Sequence, residues 1–375
     1  MEKIYTYYQP EYVKNFQCDG KKCRARCCKN WAIFIDEKTF RKYSNVPDLI
    51  ANIKDFQIIL DEKNFCPFLT EDNLCRLQKN FVEDFLSETC ATYPRYTWNF
   101  GGNFYERSLM LTCPLVAESV LLTTAPIKFE KICVSEKVHS NFDKIKILEN
   151  FLLPEVLEIF LSIQQAAIKI LQERTFTLDE RFLILGLYCD KLDELLATDN
   201  LAAVEKVNPA YENLKFLREQ TAQISAVLNF NAQNYFEIVQ GFLKKFFDAD
   251  KLTAAALQLQ PSENLIQLQK NFLQKFATVF ENYLVHEFFY NLYPFRFDGS
   301  PIFNYEIFLT IFKMLELITF ANSLEKIPYD EKILISEIML YVEKIDHDAE
   351  FLSKITSGFT FKNDVAEIMQ NLLKI

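Results

Sequence analysis

Phe16–Asp36 reads FQCDGKKCRARCCKNWAIFID, and its cysteines, Cys18-x4-Cys23-x3-Cys27-Cys28, decide how the first third of the chain is built. Four more follow as Cys66-x8-Cys75-x14-Cys90-x22-Cys113. Nine of the ten cysteines lie before residue 134 and only Cys189 beyond it, so the chain divides into a cysteine-rich module and a remainder. Thiolate is a soft donor, suited to zinc and to iron–sulfur clusters. Scattered burial of small hydrophobic residues does not generate such a run. Cys18, Cys23, Cys27, Cys28, Cys66, Cys75, Cys90 and Cys113 therefore read as metal ligands.

Spacing also constrains how they share a metal. On one helical turn Cys23 and Cys27 face the same way, whereas Cys28 is turned from Cys27 by about 100°. Vicinal cysteines do not easily serve one metal, so either one of the pair is a spectator or there are two centres. A four-cysteine iron–sulfur cluster is the expectation, with structural zinc as the alternative. The paired C-x2-C knuckles of zinc ribbons are missing. So is the C-x3-C-x2-C run usual in radical enzymes. Lys21, Lys22, Arg24, Arg26 and Lys29 surround the first ligands and would offset the negative charge of a thiolate-bound centre.

Working outward, Tyr96–Phe100, Gly101-Gly102 and Asn103–Leu109 read as a β-hairpin with a two-residue turn, glycine supplying the positive φ angles. Pro114 opens a helix to about Leu122. From residue 140 onward the pattern is helical. Pro154 starts a helix with apolar residues at three- and four-residue steps. Thr177 and Glu180 form a capping box. Asn208-Pro209 and Ser300-Pro301 are further starts. A long helical pattern spans 263–290, and two or three shorter helices finish the chain. Only seven glycines against 36 phenylalanines also favours long helices packed through aromatic side chains. The fold class expected is mainly α. An irregular cysteine-rich metal-binding module with a short β-hairpin occupies residues 1–125. An all-α helical domain follows at 126–375.

A net charge of −10 and a pI near 5.1 argue against a general nucleic-acid binder. The first 30 residues lack the apolar core of a secretory signal, and clean apolar stretches such as 182–189 are short of a membrane span. A cytoplasmic protein with reduced thiols and no membrane partner is expected.

With these motifs in hand, FQCDGKKCRARCCKNWAIFID, CPFL, LCRLQ and ETCATYPR resemble the cysteine-rich zinc- or iron-chelating modules, and more closely the flagellin lysine-N-methylase family. Tyr12, Phe16, Trp31 and Cys113-Pro114 add to the resemblance, as does ENYLVHEFFYNLYPF at 281–295. The resemblance implies a protein-lysine N-methyltransferase acting on surface lysines of flagellin as partner. It implies S-adenosylmethionine as methyl donor and a [4Fe–4S] cluster, with the eight cysteines as candidate ligands. The alternative is a non-catalytic zinc- or iron-binding structural or chaperone protein.

No G-x-G-x-x-G and no alternating strand–helix pattern is present, which excludes a Rossmann-type donor site. A methyl donor would then bind at the metal module or in a helical cleft. Trp31 and Tyr93 are candidates for substrate binding: the aromatic face of Trp31 attracts a sulfonium or an ammonium, and Tyr93 either orients substrate or pins its loop. Trp98 has the same chemistry, but packing beside the metal is the plainer reading of both tryptophans. Arg95 either orients substrate or pins its loop. His139, His286 and His347 show no ligand spacing.

Overall fold

The computed structural model describes residues 4–23, 25–29, 31–81, 85–101, 103–135, 154–198, 203–204, 207–208, 211, 213, 217–219, 232–247, 249–297, 299–326, 328–347 and 351–358. The chain forms two compact units, one from Met1–Val120 with Ile127–Glu149 and the other from Leu121–Pro126 with Asn150–Ile375.

In the first unit the strands are β1 (Tyr5–Pro10), β2 (Ile53–Lys54), β3 (Gln57–Ile58), β4 (Arg95–Asn99), β5 (Phe104–Leu109) and β6 (Phe129–Val134). Its helices are α1 (Glu11–Asn15), α2 (Gly20–Cys23), α3 (Glu37–Tyr43), α4 (Pro47–Ile50), α5 (Arg76–Asn80), α6 (Glu88–Thr92) and α7 (Pro114–Leu121), with a 3-10 turn at Arg26–Cys28. The hairpin is present, pairing Arg95 with Leu109 and Asn99 with Tyr105. Its connection is longer than expected. The Phe100 N–H donates to the Phe104 carbonyl across residues 101–103, and among the described residues of the turn Gly101 and Asn103 have positive φ. Asparagine tolerates this region because its short side chain bonds locally.

The hairpin is half of a four-stranded sheet in the order β4-β5-β1-β6. The aromatic segment YTYYQP forms β1, parallel to β5 and antiparallel to β6. Tyr7 stacks on Tyr105 with ring centroids 5.0 Å apart, and the buried face of α7 (Val116, Ala117, Val120) adds to the unit's core. A second core gathers Ile33, Ile35, Tyr43, Leu49, Ile58, Cys66, Phe68 and Leu77.

The second unit carries α8 (Pro154–Leu171), α9 (Leu178–Ala197), α10 (Ala232–Phe246), α11 (Ala254–Gln258), α12 (Glu263–Lys275), α13 (Ala277–Tyr290), α14 (Pro301–Glu325), α15 (Glu331–His347) and α16 (Phe351–Gly358). The capping box at Thr177 and Glu180 and the Ser300-Pro301 start are both formed. Pro209 and His139 lie outside the described residues. The 263–290 pattern is two helices, not one. Phe276 leaves helical geometry at φ −108° and ψ 19°, and its ring packs against Phe272 and Tyr329.

The 25-residue α14 is the axis of this unit, longer than the closing helices the sequence pattern suggests, and packs on α9, α10, α11 and α15. By length and composition it is apolar enough to cross a membrane, yet nearly all of its apolar window is buried inside the unit. At its middle, Lys313 is paired with Asp179 at 2.6 Å and with Glu316 at 2.8 Å. Phe182 stacks on Phe312, and the Tyr305 hydroxyl donates to the Phe182 carbonyl. The segment at 281–295 is explained by the same packing. Glu281 accepts from Arg174 and from the buried Arg181. Asn282 donates to the carbonyls of Leu121 and Thr123, and Glu287 accepts from Asn291.

Candidate metal centre

All eight candidate ligands lie in the first unit, and all are free thiols. Cys18 is exposed on the loop after α1; Cys23 ends α2. Ala25 then takes a left-handed conformation, φ 52°, and the chain turns into the 3-10 segment that carries Cys27 and Cys28. Cys23 and Cys27 therefore do not share one continuous helical turn, because the left-handed residue interrupts it. The vicinal sulfurs come within 3.9 Å of each other. The wide helical divergence expected of them is absent, since tight 3-10 winding replaces α-helix here.

The neighbours of the pair differ. The carbonyl of Cys28 accepts the Cys66 amide at 2.8 Å, and Lys29 and Phe65 form a bridge beside it. Cys75 is bridged to Leu69 and precedes α5. Cys28, Cys75 and Cys90 all pack on the core that contains Cys66. The Cys27 carbonyl instead accepts the Trp31 indole N–H at 2.8 Å. The Trp31 ring lies 5.9 Å from that of Tyr93, whose hydroxyl is 3.3 Å from Thr112 Oγ1, next to Cys113. Asp36 ties the helices together. It caps α3 at Thr39, and its other oxygen accepts the amide of Glu88 at the start of α6, two residues before Cys90.

The thiols feel one another. Hydrogen bonding from Cys28 lowers Cys27 and Cys66, and the same two bonds hold Cys28 protonated. Burial, then charge on Cys66, Cys75 and Cys27, pushes Cys90 up to about 12 against the bond from Ser87. Burial, then charge on Cys23 and Cys18, pushes Cys113 up to about 11 despite two backbone hydrogen bonds. Cys18 is raised by burial and by charge on Cys23 and Cys27, while Arg95 opposes. Burial and the charge of Cys113 hold Tyr93 protonated, so it does not serve as a base.

The fit to a metal rests on the donors. No three Cys, His, Asp or Glu side chains among the described residues close to the range of a single ion. Arg76, directly after Cys75, lies over the Phe68 ring and has a buried Nε with no hydrogen-bond partner. The charge of Arg76 helps lower Cys66. Mutually repelling thiols beside a buried cationic N–H suit an anionic, thiolate-bound group. Arg76 was not singled out in the sequence, although it directly follows Cys75. The basic residues act locally: Lys29 lies over Phe65 and helps lower Cys27, and Lys22 pairs with Asp19 at the surface. Arg95 sits over the Phe16 ring, pinning the segment that leads to Cys18. Trp98 is buried in the sheet against Tyr96. His286 is buried beside Glu287 in the second unit.

Residues 164–373 match the family model described as the FliB lysine N-methylase C-terminal domain. The chain is 37% identical over 134 residues to the lysine-N-methylases of Salmonella choleraesuis and Salmonella typhimurium, a stretch covering 32% of this chain and 33% of each relative. The match thus spans about a third of the length of those relatives. It is equally similar, over 79% of the relative's length, to the flagellar biosynthetic protein FliU of Salmonella muenchen. No solved structure matches.

Proposed function

We propose a function from the premise that this chain belongs to the FliB lysine N-methylase family: it is a protein-lysine N-methyltransferase that modifies surface lysines of flagellin. The observation that carries the reading is the family match across residues 164–373. The flagellar name of the FliU relative supports the substrate class. S-adenosylmethionine is the donor we assign, and the eight thiols of the first unit hold an iron–sulfur centre. Thiolate is a soft donor that suits such iron, with structural zinc as the alternative.

Such a centre would supply Lewis-acidic, redox-active iron to the site. This chain's own residues do the rest. The Trp31 indole is locked by its bond to the Cys27 carbonyl and presents an aromatic face beside the thiols, where a sulfonium or a lysine ammonium is attracted. Tyr93, held neutral, offers a hydroxyl donor between Trp31 and Thr112. A lysine amine must lose its proton before polar methyl transfer, and burial near a cationic sulfonium lowers its pKa. The helical unit, with its ion pairs buried, docks the protein substrate.

The test is intact-mass analysis of flagellin co-expressed with this chain. Increments of single methyl groups on lysine are expected. Unmodified flagellin beside a folded, metal-loaded chain would overturn the reading.

A further inference from the structure

We infer that a cleft in the helical unit receives a carboxylate side chain of the protein substrate, held by Arg181 on one wall and Lys270 on the other. This rests on the reading above that the helical unit docks flagellin, and deepens it by naming the site and the chemistry it recognises.

The cleft has a volume of about 610 Å³, within the range of roughly 300–1,000 Å³ usual for binding pockets. One wall is the turn between α8 and α9 with the first turn of α9, residues 174–181. The other is the end of α12 and the start of α13, from Lys270 to Ala277. Both walls belong to the second unit. Phe176, Leu178, Leu273 and Ala277 make much of the lining apolar, so the charges set among them are few.

Two of the cations share one carboxylate. Arg174 and Arg181 both bind the buried Glu281. Arg174 is fully engaged, its Nη1 donating to the Thr124 carbonyl. Arg181 gives Nε to the Phe176 carbonyl, and Nη1 to the Leu171 carbonyl and to Glu281. Its Nη2 makes no hydrogen bond among the described residues. Burial, against the pull of Glu281, lowers the Arg181 pKa, as expected of a buried cation short of counter-charge. On the facing wall Lys270 is exposed and in no ion pair among the described residues. Gln274 lies one turn on along the same face of α12 and brings a further amide donor.

The acidic residues of the lining are already engaged. Asp179 is paired with the buried Lys313, and Glu180 folds back onto the Thr177 amide and hydroxyl in the capping box. The charge left to attract a ligand is therefore positive, on Arg181 and Lys270. A single carboxylate meets it with charge-assisted hydrogen bonds. A phosphate dianion would set a second negative charge against Asp179 and Glu180. The apolar lining suits the aliphatic stem of a glutamate or aspartate. The methyl donor also carries a carboxylate, but in the reading above it is met beside Trp31 in the first unit.

The experiment measures the affinity of the full chain, purified without oxygen, for monomeric flagellin, with and without amidation of the flagellin carboxylates by glycinamide. Lys270 is the residue to change, because it is exposed, whereas altering Arg181 strands Glu281. K270E should keep the parent's melting temperature and weaken flagellin binding about tenfold, and K270R should bind like the parent. Amidation should weaken binding to the parent and make little further difference to K270E. Parent-like affinity in folded K270E, undiminished binding of amidated flagellin, or a parent that binds no flagellin overturns the proposal. So does a loss of S-adenosylmethionine binding in K270E with flagellin binding unchanged, which gives the cleft to the donor's carboxylate. Methylation is read separately by mass. Flagellin that binds the metal-loaded parent in this charge-dependent way, yet gains no methyl group, overturns the methylase reading and leaves the docking site standing.

Discussion

Glu306 is half-buried on α14, and burial together with the nearby Asp193 charge pushes its carboxyl up to about 7. In the unfolded chain it titrates near 4.3 or so. Between those values the folded state keeps a proton that the unfolded chain has released, so stability falls as pH rises through this window. Glu306→Gln should raise the melting temperature near pH 8 and change it little near pH 4, as thermal unfolding at both values will read. Glu281 presents the opposite case. It is the carboxylate partner of the deeply buried Arg181, and also binds Arg174. Glu281→Ala strands the Arg181 charge and should cost about 3–5 kcal/mol in denaturant unfolding. Neither role was legible in the sequence. A glutamate inside a helical pattern looks solvated until its partners arrive from other helices, here from α8's end and α9. The gathering of the eight cysteines in the first unit, by contrast, was legible, because their crowding along the chain needs no fold to be seen. Which neighbours Cys27 and Cys28 take was not, since that depends on the left-handed Ala25 and on a main-chain bond to Cys66, far along the chain.

Elements whose signal is local were read correctly. The β4–β5 hairpin, the Thr177 capping box and the Ser300-Pro301 start each need only a few consecutive residues. β1 and β6 escaped notice because each pairs with a strand on the order of a hundred residues away, and the apolar alternation of YTYYQP is blurred by aromatic residues on both faces. The break at Phe276 is tertiary in origin too, its ring being held by Phe272 and Tyr329. The joint at Asp36 combines both kinds of information. Its cap on α3 is a local motif, but its bond to Glu88 joins two helices. Asp36→Ala should lower stability by about 1–2 kcal/mol through the lost cap. It should also loosen the helix bearing Cys90, so that a chelator strips metal faster from the variant than from the parent. Equal rates of stripping would show that this joint does not support the metal module.

For the whole molecule, the sequence pattern separates a cysteine-rich first part from a helical second, and the structure has two compact units. The segment 281–295, which adds to the family resemblance, is a packing device: Glu281 and Asn282 join helices and the 121–126 segment within the second unit. The proposed chemistry belongs to the first unit, where the thiols, Trp31 and Tyr93 stand together. Under the proposed function, methyl transfer depends on residues outside the helical unit that defines the family match. The most direct measurement is the mass of purified flagellin after incubation with S-adenosylmethionine carrying a deuterated methyl group and the anaerobically purified chain. Deuterated methyl groups on lysine should appear with the parent and be lost with folded C18S or C27S. No transfer from a metal-loaded parent, or undiminished transfer from a variant stripped of metal, would contradict a lysine methylase working at a cysteine-held centre.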